Sequence, residues 1–433
     1  MRLNVAKKLP KECTHEGAVA QRITPEKALR RSVLSCLLWE DEFYESGETI
    51  ANRIESLAAQ CSKETASALA VEARNVHGLR HAPLMLLIDL IRRGGPGVAE
   101  TINDTIKRAD EMAELLSIYW RNGKKPLSKQ MKLGLAKAFG KFNEYALARN
   151  DSDGVVKLRD VLFLAHPKPK DAEQEALFKR VANRELVTPD TWEVALSAGA
   201  SKKETFERLI AEGKMGYLGL LRNLRNMMDA GCDRRIVADA ITARKGADGV
   251  WPFRYVSAAR ACKQLEPEID MALCESIASG PRLHGMTAVL VDVSGSMNDR
   301  LSKRSDMTRM DAAATLASII NGDVRVFSFS NTIVECPPRK GMAGVDAIIA
   351  SQAHSGTYLG SAVQAMNTQV KHDRLIVITD EQSHDVVPDP VCGKAYMINV
   401  ASAKNGVGYG KWTHLDGFSE SIIRFIVESE NDW

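Results

Sequence analysis

Paired cysteines are the first thing this chain of 433 residues lacks. Cys13, Cys36, Cys61, Cys232, Cys262, Cys274, Cys336 and Cys392 are scattered, with no Cys-x-x-Cys spacing and no histidine cluster beside them. That excludes a disulfide framework and a zinc site, and it points to a reducing cytosol. Long apolar runs are missing as well. The most apolar stretch, Ala82 to Ile91, is too short to span a bilayer and contains Asp89, so no membrane segment is expected. No apolar stretch follows the amino-terminal charges Arg2, Lys7 and Lys8, which leaves no secretory signal to read and makes a cytoplasmic location the expectation. Catalytic patterns are absent too. No Ser-His-Asp order, His-Glu-x-x-His, Gly-x-x-x-x-Gly-Lys or paired-carboxylate arrangement is visible, and the chain is not expected to be an enzyme.

What is present begins with length. A chain of 433 residues exceeds one ordinary core and implies two or three domains of soluble, globular composition. The net charge of +3 hides an asymmetry: residues 1–290 hold 45 basic against 38 acidic side chains, and residues 291–433 hold 13 against 17. Within the first part, residues 121–150 carry eight basic side chains and a single acidic one, Glu144. Such a local excess is either an electrostatic footprint for a polyanion or the solvated face of a repeat helix.

Before about residue 283 the pattern is helical. Thr24-Pro25-Glu26 reads as an N-cap, a proline at the first helical position and an acid in the first turn. Ala28, Val33, Leu34, Leu37 and Leu38 follow at helical spacing. Further starts are read at Thr188-Pro189-Asp190 and at Ser201-Lys-Lys-Glu204, a capping-box pattern. Breaks at 94–97, 122–126, 150–154 and 166–169 bound helices of about two to four turns, the size of stacked helical pairs in a solenoid. Lys129, Lys132, Lys137 and Lys141 would form a broad basic helix face suited to phosphates. Phe139, Phe142 and Tyr145 interleave with them, and core packing is the expected role of at least two. Arg222 and Arg225 flank Asn223 at what reads as a helix start, where contact with a polyanion and capping are equally open.

After about residue 283, past the linker Ser279-Gly-Pro-Arg282, the period changes. Met286–Val293, Val324–Phe329, Leu375–Thr379 and Ala395–Val400 are short, β-branched apolar runs. Helical segments near 311–320, 359–369 and 419–427 alternate with them, so a doubly wound, mostly parallel sheet is expected. Asp292-Val-Ser-Gly-Ser296 follows the first run and presents one carboxylate and two hydroxyls at alternate positions. Thr357 lies in the loop Gly356-Thr-Tyr-Leu-Gly360, and Asp380 ends the third run. Oxygen donors at strand ends suit a hard divalent cation. The alternative is that Ser294 and Ser296 are plain turn residues and Asp380 a helix cap.

The constellation Asp292, Ser294, Ser296, Thr357 and Asp380 resembles the metal-ion-dependent adhesion site of von Willebrand factor A domains. The helical part supplies Leu38-Trp-Glu-Asp-Glu-Phe-Tyr-Glu-Ser-Gly47, Gly78-Leu-Arg-His-Ala-Pro83, the run from Leu158 to Pro169, Leu221-Arg-Asn-Leu-Arg-Asn226 and Trp251-Pro-Phe253. In this order, followed by the adhesion-site pattern, these resemble the Ro ribonucleoprotein, or TROVE-domain, family. The resemblance implies a HEAT-like α-helical ring over residues 1–283 and a Rossmann-like von Willebrand factor A domain over residues 284–433. It implies a divalent cation, Mg²⁺ before Mn²⁺ or Ca²⁺, whose last coordination position an acidic protein ligand could fill. It also implies Y-like noncoding RNA on the outer basic surface and single-stranded 3′ ends of misfolded RNAs in the central hole. Noncoding-RNA quality control, with an exoribonuclease tethered through the RNA, is the implied setting, and a monomer is expected. The family's outer-surface histidine falls on His166, with Lys168 after it and Lys157 and Arg159 before it. Where a basic helix end should precede that segment, Asp151 and Asp153 occupy the turn and Arg149 is the nearest match.

Two readings of different class follow. One is an RNA-binding scaffold or chaperone. The other is a metal-dependent protein-interaction module on a helical solenoid. A metal-assisted hydrolase is a remote third, because no second carboxylate cluster supports a two-metal mechanism.

Overall fold

The computed structural model describes residues 24–34, 47–151, 154–247, 250–301, 307–401, 406–408, 410–417, 422–423, 426–427 and 430. They pack as two compact units, one built on Gly47–Val250 and the other on Trp251–Trp433 together with helix α1 (Pro25–Leu34).

The first unit is helical. Its elements are α2 (Gly47–Gln60), α3 (Lys63–Asn75), α4 (His81–Arg93), α5 (Val98–Thr105), α6 (Asp110–Tyr119), α7 (Lys129–Phe139), α8 (Glu144–Asn150), α9 (Leu158–Ala165), α10 (Ala172–Asn183), α11 (Trp192–Ser197), α12 (Lys202–Ala211), α13 (Tyr217–Asp229) and α14 (Arg234–Ala243). No strand occurs among its described residues. The apolar stretch from Ala82 to Ile91 is a core helix buried along its whole length, and no described helix is long and apolar enough to cross a membrane. Caps set many of the starts: Ser128 accepts from Met131 N at 3.2 Å, Asn143 from Ala146 N at 2.9 Å and Asp171 from Gln174 N at 2.8 Å. The start read at Thr188-Pro189-Asp190 falls three residues later. Thr191 is the N-cap of α11, while Asp190 is held by Arg208 and Lys214. Ser201 caps α12 as expected. Close packing of α5 on α7 depends on Gly134, where a Cβ would stand 2.8 Å from Ile102 Cβ and 3.0 Å from Ala99 O.

The second unit continues with α15 (Pro252–Ala261), α16 (Glu266–Ala278), β1 (Arg282–Asp292), α17 (Arg309–Ser318), β2 (Asn321–Phe329), β3 (Ile333–Glu335), α18 (Gly341–Ile349), α19 (Leu359–Gln369), β4 (Arg374–Thr379), β5 (Lys394–Asn399) and β6 (Thr413–Asp416). The strands form one sheet in the order β3-β2-β1-β4-β5-β6, parallel except for β3. Ala288 and Leu290 pack with Leu359, Val363 and Met366 of α19 on one face. Strand alternation turns Val289 and Val291 to the other, which α17 and α18 cover. Helices α15 and α16 form a further layer there. Arg260 reaches Asp311 at 3.0 Å and Asp346 at 2.6 Å, and Asp270 accepts from Met342 N at 2.7 Å.

Four strands expected from the sequence are present within a few residues, and β3, β6 and α18 are additional. Of the helix expected at 419–427, residues 422–423 and 426–427 are helical and the rest lie outside the described residues. Leu37, Leu38 and most of the segment 38–47 also lie outside them. The change of period at 283 marks where strands begin. The packing groups α1, α15 and α16 with the sheet, so the compact units divide the chain elsewhere than at 283.

Candidate metal centre and nucleic-acid surface

Strand β1 has β2 on one side and β4 on the other, so the direction of winding reverses between β1 and β4. Ligands of open α/β sheets collect at the carboxyl ends of strands at such a point. Asp292 ends β1 and Asp380 follows the last residue of β4, which puts both carboxylates there. Each is wholly buried. Ser294 N donates to Asp292 Oδ1 at 2.9 Å, Ser294 and Ser296 bring their hydroxyls to 3.4 Å, and Ser296 Oγ donates to Asp380 Oδ2 at 2.6 Å. Four of the five expected donors therefore form one hydrogen-bonded cluster.

Thr357 enters differently. Gly295 N donates to Ser355 O at 3.0 Å, which lays the 355–357 loop against the serine turn. Thr357 O accepts from His384 N at 2.9 Å, and Thr357 itself is buried. Among the described residues, no hydrogen bond joins its hydroxyl to the other four donors.

Burial, with the Asp380 charge added, pushes the Asp292 carboxyl up to about 7. Burial likewise raises Asp380. Two desolvated carboxylates side by side need a proton or a cation between them. The described residues contain no group of three or more His, Cys, Asp and Glu side chains able to hold a metal. The donor set here is instead two carboxylates with hydroxyls, all oxygen, which fits a hard divalent cation that keeps several waters.

Sequence reasoning missed the residues that brace this cluster. Thr379 Oγ1 donates to Asp292 Oδ2 at 2.6 Å. Asp385 accepts from Gly360 N and Ser361 N, each at 2.7 Å, and so clamps the start of α19. The polar run Asp380-Glu-Gln-Ser-His-Asp385 directly after a buried strand was the signal that could have found Asp385.

The expected nucleic-acid residues all lie in the helical unit. Lys129 and Lys132 are exposed on α7, and Lys137, also exposed, pairs with Glu100 at 2.6 Å. Lys141 lies past the end of α7 and donates to Ile106 O at 2.7 Å and to Asn103 O. Burial lowers its ammonium pKa, with Lys107 adding to the effect. Lys141 thus braces the end of α5 while remaining exposed. Phe139 is core, edge-on to Phe178 at 5.3 Å, Phe142 is half-buried and Tyr145 is exposed. Arg149 is exposed and reaches Glu193 at 3.4 Å. On α9, which packs on α7, Lys157 is half-buried at the N-cap, and Arg159 is exposed with its guanidinium 5.4 Å from the ring centre of exposed Phe163. His166 caps the C-terminus of α9 with φ 50°, a left-handed conformation, and is exposed, as is Lys168. Arg222 and Arg225 are exposed in the middle of α13. The helix begins at Tyr217, so the capping alternative for them is withdrawn. Between them, Asn223 is buried and donates to Gly219 O at 2.9 Å.

Comparison with known proteins extends this picture. Residues 179–276 match the TROVE domain family, and residues 287–382, which include all five candidate metal donors, match the von Willebrand factor type A domain family. Telomerase protein component 1 of Mus musculus is 32% identical over 89 residues, 19% of this chain, and the Rattus norvegicus protein is 29% identical over 89 residues. The matched stretch spans only 3% of the length of either relative. The crystal structure of the Deinococcus radiodurans RO (RSR) protein aligns with a TM-score of 0.61 at 15% identity, covering 94% of this chain and 100% of that one. At that identity the likeness speaks for the fold. The chain thus carries a TROVE-domain match over residues 179–276, followed by a von Willebrand factor type A match over residues 287–382.

Proposed function

We propose that the protein is an RNA-binding protein of Ro type. One observation carries the reading: a TROVE domain precedes an A domain, and its helical unit exposes basic side chains along α7 and around the end of α9. Such side chains neutralise phosphates, which position RNA and supply affinity without reading sequence. Within this reading the protein binds a Y-like noncoding RNA and single-stranded 3′ ends of misfolded RNAs. It serves noncoding-RNA quality control in the cytoplasm as scaffold or chaperone, with an exoribonuclease tethered through the RNA. It performs no catalysis of its own. Sequencing the nucleic acid that co-purifies after a high-salt wash is the direct test. Recovery of a discrete structured RNA supports the reading, and protein free of RNA that also ignores added single strands overturns it.

A second reading for the A domain is favoured by the two buried carboxylates at the reversal of the sheet. Asp292, Ser294, Ser296, Thr357 and Asp380 would hold one divalent cation, Mg²⁺ first, some of them through water. When bound, the cation supplies a Lewis-acidic position that a partner's carboxylate can occupy. The chain's own part is to hold the donors, and Thr379 and Asp385 keep their loops in place. Calorimetric titration with Mg²⁺ and Mn²⁺ tests it, and the absence of binding in wild-type protein would remove it.

A further inference from the structure

Helix α1 brings a guanidinium deep into the A-domain unit. Arg31 is 1% exposed. Its Nη2 donates to Glu381 Oε1 at 2.7 Å, and its Nε donates to Asp416 Oδ1 at 3.2 Å. His414 joins both carboxylates, at 3.1 Å from Glu381 and 2.9 Å from Asp416. Glycines make room for this cluster. A Cβ at Gly408 would meet His414 Nδ1 at 2.7 Å, one at Gly406 would meet Arg31 Nη1 at 2.7 Å, and one at Gly417 would meet Leu34 O at 2.8 Å.

The partner that matters is Glu381. It is wholly buried and follows Asp380 directly. Its φ of 60° is left-handed, a conformation that a residue with a long side chain keeps only when its surroundings enforce it. Gly408 N donates to Glu381 Oε2 at 2.7 Å, and Arg31 holds the other oxygen. The backbone of Glu381 in turn donates to Thr379 Oγ1 at 3.0 Å, and that hydroxyl donates to Asp292 at 2.6 Å. One continuous path of bonds thus runs from α1 to both candidate metal carboxylates, by a peptide bond to Asp380 and through Thr379 to Asp292.

We infer that Arg31 is a positioning residue for the metal centre, and that seating of α1 and metal occupancy are coupled through Glu381. The inference rests on the metal reading above. Coupling of this kind is reciprocal: whatever α1 contributes to metal affinity, the metal returns to the seating of α1. A residue in α1 would then respond to events at the A-domain face.

The test measures Mn²⁺ affinity and hydrogen exchange of α1 on the full chain. Arg31→Met is expected to weaken Mn²⁺ binding by roughly tenfold or more, the usual scale for a partner behind the ligands. In wild-type protein Mn²⁺ should slow exchange in α1, and in Asp292→Ala it should not. Arg74→Met breaks an ion pair to Glu111 in the other unit and controls for loss of a semi-buried arginine as such. It should leave Mn²⁺ affinity unchanged. Should Arg31→Met fail to fold, Arg31→Lys keeps the charge but loses the fork that spans Glu381 and Asp416, and weaker Mn²⁺ binding is again expected. Folded Arg31 variants with wild-type affinity would overturn the inference. So would exchange in α1 that ignores the metal. Wild-type protein that binds no Mn²⁺ would instead remove the metal reading, and the inference with it.

Discussion

Asp292 has the strongest consequence of any single residue. Its carboxyl is pushed up to about 7, first by burial and then by Asp380. A carboxyl whose folded pKa exceeds its unfolded value, about 4, holds its proton more tightly when folded. Metal-free protein should therefore lose stability as pH rises from about 4 to about 7. A cation competes with that proton, so apparent Mg²⁺ affinity should climb over the same window and level off above it. Calorimetry and thermal unfolding at about pH 5.5 and about pH 8 check both signs. Asp292→Ala should abolish metal binding and leave RNA affinity nearly unchanged, because the basic side chains lie in the other compact unit. On the proposed RNA side the matching test is at His166. His166→Ser should weaken binding of a structured RNA more than of a bare single strand in a gel-shift comparison, and equal losses would mean that the two RNAs share one site.

Among the elements, α5 and α7 carry a packing constraint that is independent of function. Gly134 lets the helices close, and Gly134→Ala drives a methyl group against Ile102 and Ala99 O. Overpacking of this kind costs about 1–3 kcal/mol, which should appear as a lower Tm. Lys141, just past α7, belongs with this scaffold. Its ammonium satisfies two carbonyls near the end of α5, so Lys141→Ala should lower stability and leave the salt dependence of RNA binding alone. Among the strands, β1 and β4 were legible because each holds an apolar run with an aspartate at or just past its carboxyl end. Strand β6 was not, because Thr413, His414, Leu415 and Asp416 carry no apolar period. The same holds for α18, whose glycines at 341 and 344 weaken a helical reading.

At the scale of the whole molecule, RNA binding should follow the law of counterion release. Lys132→Glu with Lys137→Glu should weaken binding of every RNA sequence. The log–log salt slope should flatten by about 0.7 for each phosphate of a single strand that is no longer neutralised. Lys137 remains free to serve despite Glu100, because an exposed ion pair contributes little and exchanges readily. Binding that is insensitive to both substitutions and to salt would leave the metal-dependent interaction reading ahead.

Local signals in the sequence were enough for most of the elements and their order, β3, β6 and α18 excepted. Caps, glycine breaks and the change from helical to strand period act over a few residues, and they placed the helical part, the sheet and the order Asp292, Ser294, Ser296, Thr357, Asp380. Tertiary structure decided what those residues meet. Lys141 reads as one more lysine on a basic face until α5 closes against α7 and offers it carbonyls. Arg31 reads as one charge of an amphipathic helix, yet it is buried against a carboxylate 350 positions away. No periodicity records such a pairing, because it forms only when distant segments close on one another and desolvation makes each buried charge require its partner.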